Sequence, residues 1–125
     1  MVRLIKGIGI DIIEIYRIEE AIKRNKRFIE RIFTQREIEY FQKVNYNTNT
    51  IAGNFAAKEA IMKVLGTGLR NFKLKDIEVV RNELGKPEVI LYNNAQRIKE
   101  QLGISNIIIS ISHSKKYAVA NAIGE

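Results

Sequence analysis

The sequence predicts an α+β fold, and three observations carry that prediction. Period-two segments and helix-spaced segments are both present without a repeated strand-helix-strand order; neighbouring strands are joined by hairpin signals; and one long segment is apolar nearly all round. That segment, Ile51 to Gly68, distributes Ala52, Phe55, Ala56, Ala57, Ala60, Ile61, Val64 and Leu65 over almost every side of a helix, so the helix belongs inside the molecule, with Gly66 as its C-cap.

Taken in order, Arg3 to Ile13 reads as a strand with Leu4, Ile8, Ile10 and Ile12 on one side and Gly7, Gly9 and Asp11 on the other. The second side is nearly bare. It allows a ligand or another backbone to come close, or it is a bulged strand with a solvent-facing aspartate. Tyr16 to Arg31 reads as a short amphipathic helix with a basic corner at Asn25 to Arg27. Thr34-Gln35-Arg36-Glu37 is a capping box that starts a helix running to about Val44, with Ile38, Phe41 and Val44 inward, and Asn45 to Thr50 is a polar loop. After the central helix, Gly66 to Asn71 is a glycine-punctuated loop able to pass near a phosphate. Lys75 to Arg81 and Glu88 to Tyr92 form a hairpin turned by Gly85-Lys86-Pro87. Asn93 or Asn94 caps a helix that runs to Leu102 and stops at Gly103. Asn106 to Ser112 and Tyr117 to Ile123 then pair as the last two strands, joined by His113 to Lys116.

Composition narrows the chemistry. At 125 residues, 46% hydrophobic and 28% charged, the chain reads as one globular domain, 1–125. The absence of cysteine removes disulfides, thiol catalysis and thiolate metal sites, and a single histidine removes a multi-histidine zinc site, so any metal is a hard ion held by oxygens. No signal peptide or membrane span is expected, because Arg3, Lys6, Asp11 and Glu14 interrupt the apolar N-terminal stretch; a reducing cytoplasm fits. The net charge of +7 attracts nucleic acid, phosphorylated small molecules or acidic proteins.

Four features exceed these structural readings: Asp11 on its bare strand, Glu59 with Lys63 on an enclosed helix, the Gly85-Lys86-Pro87 turn, and Ser112-His113-Ser114. Glu59 and Lys63, four apart, form either an i,i+4 salt bridge at the rim of the core or part of a site. Two carboxylates from distant segments suit a magnesium ion that keeps waters and takes its other ligands from substrate phosphates, with Lys63 neutralising a transferring phosphoryl group. A serine-hydrolase reading fails for want of a nucleophile elbow and an oriented acid. His113 is either a phosphate or base contact or a polar residue at a strand end.

GIGIDIIEI (Gly7 to Ile15), FAAKEAIMKVLGTG (Phe55 to Gly68), GKP (Gly85 to Pro87) and SISHSKKYAVA (Ser110 to Ala120) resemble, in order and over the whole length, the signature segments of holo-acyl-carrier-protein synthase, the short type of 4′-phosphopantetheinyl transferase. The resemblance implies an α+β fold with an antiparallel sheet against a long central helix and shorter helices, and a homotrimer with active sites at subunit interfaces. It implies an activity in fatty acid biosynthesis, moving the phosphopantetheine arm of coenzyme A onto a serine of acyl carrier protein with release of 3′,5′-ADP. Carried over by position, Asp11 and Glu59 would hold magnesium, Lys63 would approach the pyrophosphate, and Gly85, Lys86, Pro87 and His113 would lie near the nucleotide end of coenzyme A. Arg17, Arg24 and Arg27 would grip an acidic helix of the carrier protein. Glu59 is the preferred base for the incoming serine, directly or through water on the ion. Asn54 stands where many relatives have arginine, which leaves a phosphate contact there weaker or in the hands of another residue. The rivals are a basic nucleic-acid-binding module, which explains the charge but not the carboxylate pair, and a non-catalytic scaffold on the same fold.

Overall fold

Small residues set the central packing. The computed structural model describes residues 4–66 and 72–125. Its long helix, α4 (Thr48–Leu65), presents Ala52, Ala56, Ala57 and Ala60, all fully buried. Alanine keeps the helix surface low, and the first strand, β1 (Gly7–Glu14), meets it with its glycine side: a methyl group on Gly9 would lie 2.0 Å from the Ala60 carbonyl oxygen. The close approach left open by the sequence is therefore filled by helix backbone at Gly7 and Gly9.

Around this pair the chain runs α1 (Ile15–Arg24), α2 (Phe28–Ile32), α3 (Gln35–Lys43), α4, a 3-10 turn (Leu74–Asp76), β2 (Ile77–Arg81), β3 (Pro87–Leu91), α5 (Asn93–Gln101), β4 (Ile107–His113) and β5 (Tyr117–Gly124). The strands are antiparallel and divide into two sheets, β1-β5-β4 and β2-β3. In the first, Asp11 pairs with Ala120, and Ala120 with Ile111. One face covers α4. The other carries Ile8, Ile10 and Ile12 at 72%, 57% and 63% exposure. Two apolar clusters fill the interior, one between the C-terminal half of α4, the sheets and α5, the other where α1, α2 and α3 meet the start of α4, with Phe33 and Phe41 edge to face at 4.9 Å.

Several element boundaries differ from expectation. Asn45 to Thr50 is not all loop: the Asn47 side chain accepts from the Thr50 amide and caps α4, which starts at Thr48. Tyr16 to Arg31 is two helices broken at the basic corner. Neither Asn93 nor Asn94 caps α5. Tyr92 holds that position without a side-chain bond, and Asn93 instead donates to Asp76 at 2.9 Å. The strand assigned from Arg3 to Ile13 begins at Gly7, and Gly68 with the rest of residues 67–71 lies outside the described residues.

The capping box at Thr34 has a second use. Glu37 returns one carboxylate oxygen to the Thr34 amide at 2.8 Å and receives the Val79 amide on the other at 3.0 Å. It also pairs at 2.8 Å with Lys58, both side chains fully buried. Lys58 donates besides to the carbonyls of Ile32, Leu74 and Ile77, so one ammonium ties α4 to the end of α2, the 3-10 turn and β2. Burial pushes the Glu37 carboxyl up and the Lys58 ammonium down, and their attraction only partly offsets it.

Candidate active site

Strand alternation turns Asp11 toward α4, two residues beyond the Gly9 contact. Its partner there is Lys63: the ammonium lies 3.6 Å from the Asp11 carboxylate and donates to the Ile10 carbonyl at 2.7 Å. Of the two readings of Glu59 and Lys63, the i,i+4 bridge gives way to this cross-element pair. Glu59, one turn earlier on α4, is half-buried beside both. Burial holds the Asp11 carboxyl above its ordinary 3.8, with Lys63 pulling it back. Glu59 is held above 4.5 by burial and then by the Asp11 charge, again opposed by Lys63. Two like charges therefore lie close enough to repel, with one lysine offsetting both.

This donor set fits a hard divalent cation. Two carboxylates that repel one another gain from a shared positive charge, and among the described residues no cluster of three or more acidic or histidine ligands competes for it. Magnesium suits such a sparse set, because it retains waters and completes its shell with phosphate oxygens. Glu59, Met62, Lys63 and Gly66 border an open cavity of about 380 Å³ beside the pair.

A second cleft, of about 230 Å³, gathers Gly85, Pro87 and His113 against the N-terminal half of α4. Gly85 is the turn residue with φ +82°, and the Asn82 side chain accepts from the Leu84 and Lys86 amides, which fixes the hairpin tip. Lys86 is exposed and borders a different groove, between β3 and β4. The Ser114 hydroxyl accepts from the Lys116 and Tyr117 amides and so shapes the β4-β5 turn. Neither Asp11 nor Glu59 lines the cleft that holds His113.

The second cleft contains residues that the sequence analysis did not assign. Arg81, at the end of β2, donates to the Asn54 side chain at 2.8 Å and lies over the Tyr40 ring. Asn54 departs from the arginine that the resemblance leads one to expect, and in the sequence Arg81 is only the last residue of a strand. Nothing in Arg81 alone signals a site, and the link appears only when β2 is folded against α4.

Arg17, Arg24 and Arg27 are exposed on α1 and at the α1-α2 break. Arg17 and Arg24, seven apart, share a helix face, and Arg17 is tethered to Glu14 at 3.1 Å.

A family model described as the 4′-phosphopantetheinyl transferase superfamily matches residues 7–122. The chain is 58% identical over 122 residues to holo-[acyl-carrier-protein] synthase of Clostridium botulinum (strain Eklund 17B / Type B), covering 98% of each. Its fold matches the crystal structure of holo-[acyl-carrier-protein] synthase from Neisseria meningitidis with a TM-score of 0.90 at 34% identity, over 98% of this chain and 99% of that one. A further match is a holo-(acyl-carrier-protein) synthase from Bacillus anthracis in complex with CoA (3′,5′-ADP), TM-score 0.81, 39% identity, 98% of each chain. With a family model spanning most of its length and relatives above half identity, the chain belongs to the 4′-phosphopantetheinyl transferase superfamily.

Proposed function

We propose that this domain, 1–125, transfers the 4′-phosphopantetheine group of coenzyme A to a serine of apo acyl carrier protein, releasing 3′,5′-ADP, with magnesium at Asp11 and Glu59. The observation that carries the reading is the meeting of Asp11, Glu59 and Lys63 across β1 and α4. The relatives described above are holo-[acyl-carrier-protein] synthases, and one structural match holds CoA (3′,5′-ADP). The setting proposed is cytoplasmic fatty acid biosynthesis; no helix among the described residues is long and apolar enough to cross a membrane.

The serine oxygen attacks the phosphorus that bears the pantetheine arm, the bond from that phosphorus to the 3′,5′-ADP oxygen breaks, and the serine proton leaves to Glu59. Glu59 takes that proton directly or through water on the ion. A bound ion supplies charge stabilisation at the donor diphosphate. Lys63, aimed by the Ile10 carbonyl and Asp11, places its positive charge beside the departing phosphate. Gly85, Pro87 and His113, which share one cleft, receive the nucleotide end, while Lys86 borders the neighbouring groove, and Arg17, Arg24 and Arg27 receive the acidic carrier. A homotrimer with sites shared between subunits is supported by the exposed isoleucine row of β1, an apolar face of the kind that assembly covers.

The test is an intact mass of apo acyl carrier protein after incubation with the protein, coenzyme A and magnesium. The carrier is expected to gain one phosphopantetheine arm, to gain none with a chelator, and to need far higher concentrations against an Arg17→Glu/Arg24→Glu variant. No gain from a folded protein and a competent carrier would overturn the assignment.

A further inference from the structure

We propose that Arg81 recognises the 3′-phosphate of the donor in the cleft between the Gly85 turn and His113; this rests on the transferase reading above. The backbone position of Arg81 is fixed by its pairing with Pro87 at the mouth of the hairpin. Its guanidinium is half satisfied. One terminal nitrogen holds Asn54, the Cζ atom lies 5.2 Å from the Tyr40 ring centroid, and no carboxylate among the described residues pairs with it.

The other terminal nitrogen of Arg81 and the amide nitrogen of Asn54 are both shut from solvent without an acceptor. Two neighbouring donors lacking acceptors, one of them cationic, form a deficit that an anion with several oxygens fills. Arginine suits this task because its planar fork offers parallel donors to phosphate, which a lysine ammonium does not.

The position selects which phosphate. Asn54 and Lys63 are nine positions apart on α4, roughly 13 Å along the axis, and Lys63 with the carboxylates serves the reacting diphosphate. Coenzyme A has one other anionic group, the 3′-phosphate on its ribose, at the nucleotide end assigned to this cleft. Asn54 thus does not weaken the phosphate contact; it orients the arginine that makes it.

The experiment titrates purified protein with 3′,5′-ADP and with 5′-AMP, which differ only in the 3′-phosphate, for wild type, Arg81→Gln and Arg81→Lys, after unfolding curves establish that each is folded. Wild type is expected to prefer 3′,5′-ADP. Arg81→Gln should lose about 10- to 100-fold of that preference, with 5′-AMP affinity unchanged and Arg81→Lys between the two. An equal loss for both nucleotides, an unchanged preference in Arg81→Gln, or no preference in wild type overturns the proposal. If the preference depends on Arg81 while the protein modifies no carrier, the transferase reading falls and the Arg81 assignment stands.

Discussion

Replacing Gly9 with alanine tests whether the bare side of β1 serves the helix or a ligand. The added carbon would sit 2.0 Å from the Ala60 carbonyl oxygen, 2.9 Å from its carbonyl carbon and 3.0 Å from the Lys63 Cβ. None of these is the free end of a flexible side chain. Restoring an ordinary contact near 3.4 Å requires β1 and α4 to part by about 1.4 Å at that point. Overpacking of this kind costs about 1–3 kcal/mol, or about 4–12 °C in Tm for a chain of this size. Asp11 lies two residues on, so the same displacement carries it from Glu59 and Lys63, and a misplacement near 1 Å in such a site costs on the order of 100-fold in rate. Gly7→Ala, whose added carbon meets the Val64 carbonyl oxygen at 2.9 Å, should do less on both counts. The assays are thermal unfolding and the rate of holo carrier formation. A Gly9→Ala protein with wild-type Tm and rate, or a Gly7→Ala protein with the larger defect, refutes the packing argument.

Lys58→Met should destabilise the fold by about 3–5 kcal/mol, about 10–20 °C in Tm, because it leaves Glu37 charged and buried and strips three carbonyls of their donor. Denaturant and thermal midpoints measure this, and an unchanged midpoint contradicts it. For Asp11 and Glu59 the sign follows from their raised pKa values. Folding favours their protonated forms, so without metal their contribution to stability falls as pH rises through the range just above 3.8 and 4.5. Glu59→Gln should therefore raise the metal-free Tm at neutral pH while abolishing transfer, and magnesium should stabilise wild type more than the variant. Melting curves with chelator and with magnesium decide it.

Much of this architecture was legible because local chemistry and tertiary packing agree. Thr34 and Glu37 form the capping box read from their spacing, and Gly66 ends α4 in the left-handed conformation that only glycine adopts freely. Asn47 to Thr50 misled because the residues of a polar loop are also those of a helix start, and only the hydrogen bond tells them apart. Lys58 was overlooked beside Glu59 and Lys63, although it stands seven residues after Ile51 and seven before Leu65, on a stripe that is otherwise core. That spacing marked a buried charge; its partner Glu37, used already as a cap, could not be found by periodicity. The same holds for Arg81 and Asn54. Pairings between distant segments leave no trace in the spacing of either.

The alternation in β1 has a consequence for how the gene can change. Isoleucines at 8, 10 and 12 occupy one side and Gly7, Gly9 and Asp11 the other, so parity along the strand decides which surface each codon writes. In-frame loss of the Ile10 codon alone would turn Asp11 out among the isoleucines and set Ile12 facing the helix backbone. Loss of the Gly9 and Ile10 codons together would keep every remaining side chain on its own side. Along this strand, insertions and deletions are legible to the fold only in pairs.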